Sequence, residues 1–350
     1  MVNKRNSSIE ILRISAMFMI VLSHFVTHTN WNGSTINFSF NSIIINSLKL
    51  GNFGNTIFVL ISSYFIIGNK FKPSKVFKIW GDVFLYSIIG YLLFVFFKKN
   101  TLSTKEIISI FFPLIFNKYW FASTYIIFYL VTPLLNVLLN HLSKKQHLYL
   151  LLLGFVLWPI LNTITNQGLQ YSSLLYFIYL FFIAGYIKMY INVFKISSKA
   201  SLTFGICSLI LYFISVVCLL MLGKQFTIFQ KKTTMFGTLY SPIVLMASVL
   251  LFIGAIKCNP FESRLINKFS ACTFGVYLIT EHPLVRNYIW NELLPSQLHF
   301  DSGVLLPYCL ISVIIVYLVC IIIEYIRLNT IDRFWMKLYK KIDTKLPDIN

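Results

Sequence analysis

Apolar runs of about twenty residues recur from one end of this 350-residue chain to the other. Each is long enough to cross the roughly 30 Å hydrocarbon core of a bilayer. That feature confines the chain to one fold class, an all-α polytopic membrane protein of about ten transmembrane helices. The spans fall at about 9–27, 51–68, 79–97, 119–138, 148–166, 171–190, 200–222, 241–257, 271–289 and 304–326. Composition agrees: 57% of the residues are hydrophobic and only 12% are charged, against about 25% charged in an ordinary soluble domain. Two places complicate the count. The stretch 41–68 has room for a longer second helix, and Glu281-His282-Pro283 interrupts the ninth span.

An even number of spans puts both termini on one side of the membrane. With the N-terminus in the cytoplasm, about two thirds of the 30 lysines and arginines fall in inside loops or in the tail, as the positive-inside rule requires. The net charge of +19 therefore reflects topology and contact with membrane lipid; nucleic acid is not the partner it implies. No small-residue cleavage site follows the first apolar run, which argues against a cleaved signal peptide. The six cysteines (Cys207, Cys218, Cys258, Cys272, Cys309 and Cys320) lie in or beside apolar runs without CxxC spacing, and they read as small core hydrophobes. The chain divides into a transmembrane domain, 1–326, and a cytoplasmic tail, 327–350. In the tail, Phe334, Trp335, Leu338 and Tyr339 alternate with Arg333, Lys337, Lys340 and Lys341, a pattern that predicts a basic amphipathic helix on the inner leaflet.

The first span carries charge. Glu10 and Arg13 are three residues apart and so share a helical face. From Arg13 to His24 is eleven residues, about 1,100° of rotation, which returns His24 to within about 20° of the same direction. His28 lies one turn further on a similar face. Ionisable groups in a span face the bundle interior and mark function by default. Two readings fit: a structural ion pair with a satisfied interior histidine, or a histidine base with an arginine suited to a phosphate-bearing substrate. Glu10 and His24 are about 21 Å apart along an ideal helix at 1.5 Å per residue, so a direct dyad between them is excluded. Elsewhere, Lys70, Lys72, Lys75 and Lys78 form a basic loop, Asp82 is placed to pair with a nearby lysine, and Glu281 either pairs with Arg286 or serves as a second carboxylate in the site. Trp120, Tyr125 and Tyr129 read as belt and packing aromatics on which a sugar could also stack. No His, Cys and carboxylate set has metal spacing.

The span from Ile9 through Glu10, Leu12 and Arg13 to His24 resembles the opening motif of the acyltransferase 3 family, the membrane-bound O-acyltransferases of bacterial surface polysaccharides. Phe58-Val59-Leu60-Ile61-Ser62-Ser63-Tyr64-Phe65 resembles that family's FxxSG(Y/F) segment. Tyr119-Trp120-Phe121 with Tyr125 to Asn136 is similar to its YWF…YLxxPLLN span. Phe274-Gly275-Val276-Tyr277-Leu278-Ile279, followed by Glu281, Pro283 and Arg286, is similar to its late fGxYLIH(E/D) segment. Four positions depart from the pattern: Ser63 replaces a glycine, Lys75 and Lys78 replace an Arg-x-x-Arg pair, and Thr280 replaces the late histidine. Lysine keeps the charge but loses the bidentate fork. His282, two residues on, is rotated by about 200° from position 280 and is no simple substitute for that histidine.

The resemblance implies a bacterial cell-membrane enzyme in a stand-alone form, without the hydrolase-like extracytoplasmic domain of many members. It implies acetyl-CoA as donor and a hydroxyl of a cell-surface glycan, or of its lipid-linked precursor, as acceptor. Arg13 with Lys75 and Lys78 would hold the donor phosphates. His24 would act as general base or transient acyl carrier, with Glu10 tuning Arg13, Glu281 as a further carboxylate, and Trp120 and Tyr125 contacting the acceptor. No metal is implied; a homo-oligomer or polysaccharide-synthesis partners are compatible with it. The rival from another class is a transporter or exporter of polysaccharide or lipid-linked sugar, because intramembrane charges mark transport paths as readily as catalysis.

Overall fold

The computed structural model describes residues 6–31, 33–98, 103–165 and 172–345. Among these residues the chain is built of helices and turns, with no strand. In chain order the helices are α1 (Ser7–His28), α2 (Phe40–Ser47), α3 (Gly51–Ile66), α4 (Pro73–Lys98), α5 (Thr104–Phe111), α6 (Trp120–His141), α7 (Lys144–Phe155), α8 (Asn162–Thr165), α9 (Ser173–Tyr190), α10 (Ser198–Gln225), α11 (Thr227–Gln230), α12 (Pro242–Lys257), α13 (Arg264–Ala271), α14 (Thr273–Glu281), α15 (Pro283–Asn287), α16 (Leu305–Asn329) and α17 (Ile331–Lys345). Nine helical stretches among the described residues are long and apolar enough to cross a bilayer. They match nine of the ten expected spans, with α2 and α3 together forming the longer second one. The ends of two expected spans, at 166 and 171, lie outside the described residues.

The expected span over 271–289 is a broken helix. Pro283 has no N–H to continue the hydrogen-bond ladder, and His282 turns to an extended conformation before it. The His282 ring then caps the new start, its Nδ1 accepting from the Leu284 and Val285 amides at 3.3 and 3.4 Å. After α15 the chain widens into a π-helical turn, Tyr288–Leu293. Such wide turns occur frequently at functional sites.

Helix α1 lies at the centre, packed on α3, α12, α13, α14 and α16. Lipid gives helices no hydrophobic reason to associate, so close backbone approach has to supply the packing. Gly54 provides it between α1 and α3: a Cβ there would lie 2.3 Å from the Ala16 carbonyl oxygen. The outward faces carry exposed Leu92, Leu134, Leu152 and Ile322, for which lipid is the apolar partner.

A buried ionic cluster joins α4 to α16 and α17. Arg327 Nη1 meets Asp82 at 2.8 Å, and its Nε and Nη2 reach Glu324 at 2.6 and 2.8 Å. The Tyr86 hydroxyl donates to Glu324 at 2.6 Å. Asp82 therefore pairs first with Arg327; the expected lysine, Lys78, lies at 3.8 Å. Gly275 is required here, because a Cβ would fall 2.3 Å from the Glu324 carboxyl carbon. Arg327 thus belongs to the bundle, and a domain boundary after residue 326 cuts through α16.

The tail does form a helix, and it is also tied to protein. Lys78 Nζ donates to both Asp332 oxygens at 2.6 and 2.7 Å, and the Ser74 amide and hydroxyl donate to Asp343 at 2.9 and 2.6 Å. Phe334 stays 73% exposed, leaving an apolar side chain for the membrane surface. Residues 346–350 and the side chains of 336–340, 344 and 345 lie outside the described set.

Candidate active site

Two polar centres lie along α1, joined by a row of aromatic rings. The first forms near the start of the helix. Arg13 Nη1 donates to Glu10 Oε2 at 2.6 Å, the pairing that three-residue spacing permits. The Ser270 hydroxyl at the end of α13 also donates to Glu10 Oε2 and lies 3.4 Å from Arg13 Nη1. Glu10 is buried while Arg13 is half-buried. The carboxylate thereby fixes a guanidinium that stays partly exposed.

The second centre forms where the last turns of α1 meet the broken helix. His24 Nδ1 is 3.0 Å from Thr280 Oγ1, and His24 Nε2 is 3.2 Å from Glu281 Oε2. His28 Nε2 reaches the same oxygen at 3.1 Å. Arg286 Nη1 donates to the other carboxylate oxygen, Oε1, at 3.0 Å. Glu281 therefore pairs with Arg286 and also faces His24 and His28. The break at His282-Pro283 makes this geometry possible by returning α15, with Arg286, beside the end of α14. His282 itself points away: its Nε2 lies 3.4 Å from the Ser87 carbonyl of α4. Among the described residues no three His, Cys, Asp or Glu side chains are grouped to hold a metal ion.

The rings of α6 span the interval. Phe121, Tyr125 and Tyr129 are spaced by four residues and stack face to face, Phe121 on Tyr125 at 6.2 Å and Tyr125 on Tyr129 at 6.5 Å. At one end Phe121 touches Tyr277 at 5.9 Å, and Tyr277 lies 6.1 Å from the His24 ring. At the other, Lys75 Nζ sits 5.5 Å over the Tyr129 ring. The Tyr125 hydroxyl bonds to Ser62 of α3, and Trp120 packs edge-on against Phe121 at 5.8 Å. Tyr119, the residue before α6, is buried, and its hydroxyl has no hydrogen-bond partner among the described residues.

The structure thus brings Glu10 to Arg13 and His24 to Glu281, and sets Lys75 over Tyr129, the ring next to Tyr125 in the row. Lys78 is the exception: the Asp332 carboxylate occupies its ammonium, and it faces α17, away from the ring row. Sequence reasoning did not assign Thr280, His28, Tyr119 or Ser270 to the site. His28 was accessible from its four-residue spacing after His24. Ser270 and Thr280 carry no local signal, because their partners are more than 250 residues away in sequence.

A model of the acyltransferase 3 family, described as an acyltransferase domain, matches residues 6–325. No curated protein and no solved structure gives a significant match.

Proposed function

Because the chain belongs to the acyltransferase 3 family, we propose that this multi-pass membrane acyltransferase is an O-acetyltransferase of the bacterial cell membrane. Its donor is acetyl-CoA, and its acceptor is a hydroxyl of a cell-surface or exopolysaccharide glycan or of a lipid-linked precursor. The observation that carries this is the separation of the two centres: a carboxylate-fixed arginine at one end of α1, a histidine–carboxylate pair at the other, and an aromatic row between. A donor with phosphates at one end and a thioester at the end of a long arm matches that layout.

In this mechanism Arg13 and Lys75 hold the donor phosphates by charge, and Glu10 and Ser270 hold Arg13. With no proton on the line between His24 Nε2 and Glu281, the acceptor hydroxyl gives its proton to Nε2 as its oxygen attacks the thioester carbonyl. A C–O bond forms and the C–S bond breaks. The proton then passes from Nε2 to the departing thiolate, which leaves as the free thiol. Glu281 stabilises the imidazolium formed in between, while Tyr119 and the rings of Tyr125 and Trp120 contact the substrates.

Arg13→Ala removes a charged donor whose bonds contribute about 1.5–3 kcal/mol. It is expected to raise the KM for acetyl-CoA by about 10–100-fold while the protein remains in the membrane. Lys75→Ala is expected to act in the same direction and less strongly. The function is tested by measuring O-acetyl content in surface polysaccharide from a deletion strain and from the same strain with the gene restored. Loss and recovery of O-acetyl groups are expected. Unchanged O-acetylation together with lost glycan export would instead establish the exporter.

A further inference from the structure

We infer that Thr280 is a positioning residue that fixes His24 in its Nδ1–H form and leaves Nε2 as the nitrogen that exchanges a proton. This rests on the acyltransferase reading above and adds to it a residue that touches neither substrate. The inference comes from counting hydrogens. Thr280 Oγ1 lies 2.8 Å from the Val276 carbonyl oxygen, one helical turn back. Two oxygens at that distance share a hydrogen, and a carbonyl has none to give. A threonine hydroxyl has one hydrogen, so it is directed to Val276; the Tyr277 carbonyl is further, at 3.5 Å. Towards His24 Nδ1, at 3.0 Å, the hydroxyl is therefore an acceptor only, and Nδ1 must carry the hydrogen.

The arrangement is held firmly. Threonine is stiff at χ1 because of its branched Cβ, and back-bonding to the preceding turn is one of its favoured helical states. Thr280 is fully buried, so water does not compete for the bond. With Nδ1 assigned, Nε2 faces Glu281 Oε2 at 3.2 Å, beside His28 Nε2 at 3.1 Å from the same oxygen. By the same count the carboxylate has no hydrogen to give, so the 3.2 Å line between Nε2 and Glu281 Oε2 closes only when a proton lies on it, and this is the proton that Nε2 exchanges. The other nitrogen of a metal- or proton-exchanging histidine often owes its state to such a partner. The threonine that departs from the family pattern at this position is thereby a working part of the site.

The test uses [14C]acetyl-CoA with membranes containing the whole protein, and three forms: wild type, Thr280→Val and Thr280→Ser. Valine keeps the shape and removes the acceptor; serine keeps the hydroxyl. Thr280→Val is expected to lower kcat by about 10–100-fold, the effect of leaving a buried donor unsatisfied, with the KM for acetyl-CoA unchanged. Thr280→Ser is expected to stay within about threefold of wild type, as retention of the hydroxyl implies. A Thr280→Val protein with wild-type kcat, or a Thr280→Ser protein as impaired as Thr280→Val, would overturn the inference. A measurement independent of turnover is 15N NMR of ring-labelled histidine, with the His24 signals identified by their loss in His24→Asn. Protonated Nδ1 in the wild type is expected, and unprotonated Nδ1 would overturn the inference even in an active enzyme. Wild-type membranes that transfer no acetyl group would overturn the acyltransferase reading, and the NMR result would still decide the tautomer.

Discussion

His24→Asn is expected to lower acyl transfer by about 10²–10⁴-fold, the contribution of a positioned general base, while the protein still accumulates in the membrane. The size follows from what is lost. In the proposed mechanism His24 is the side chain through which the acceptor proton leaves, and its two ring nitrogens contact Thr280 and Glu281. Asparagine has similar polarity, so the fold survives, but it does not accept a proton near neutral pH. Glu281→Gln is expected to reduce transfer as well, by weakening the hold on His24 and His28 and removing the charge opposite Arg286. Its effect should fall mainly on kcat, because the carboxylate stabilises an imidazolium that forms during the reaction. Labelled acetyl transfer in membranes normalised for protein amount checks both. A His24→Asn enzyme with wild-type turnover would remove His24 from the chemistry.

Arg327→Met is expected to cause the largest loss of stability, about 3–5 kcal/mol, the usual cost of removing one partner from a buried ion cluster. Arg327 binds Asp82 and Glu324 directly and lies 3.7 Å from Asp332. Methionine fills much of the space and leaves the carboxylates without their main counter-charge in a region shielded from water. Asp82 and Glu324 would then each have to be protonated or drawn toward Lys78 and Tyr86. The same cluster ties α16 to α4 and, through Asp332, to α17. The loss should therefore appear as a lower Tm in detergent and as earlier proteolysis of the tail. Lys78→Ala, which removes a half-buried partner of Asp332 and the more distant one of Asp82, is expected to loosen α17 with a far smaller shift in Tm. Equal shifts from the two variants would contradict this account of the cluster.

The fold class was legible because hydropathy is local: a twenty-residue apolar run reads as a span whatever surrounds it. The stripe through Glu10, Arg13 and His24 was legible for a similar reason, since helix periodicity places side chains without knowledge of neighbours. Pro283 likewise marked the break in the ninth span. What remained hidden depended on distant pairing. Asp82 has Lys78 four residues away, so the local rule points there, yet the closer partner is Arg327, 245 residues on. Lys78 reads as a donor-binding cation until α17 folds back and Asp332 takes it. Thr280 reads as the loss of a histidine; only the approach of α14 to α1 reveals its hydroxyl at His24. Tyr125 and Tyr129 read as belt and packing aromatics; the row they form with Phe121 reaches from Lys75 to His24 only through Tyr277, supplied by another helix.

The central claim is that the membrane bundle itself moves an acetyl group and uses His24 to do so. The most direct test is purified chain in liposomes, given [14C]acetyl-CoA and surface glycan recovered from a deletion strain as acceptor. The account predicts ester-linked label in the glycan with the wild type and almost none with His24→Asn. Equal label with both forms, or no label with the wild type, would contradict it.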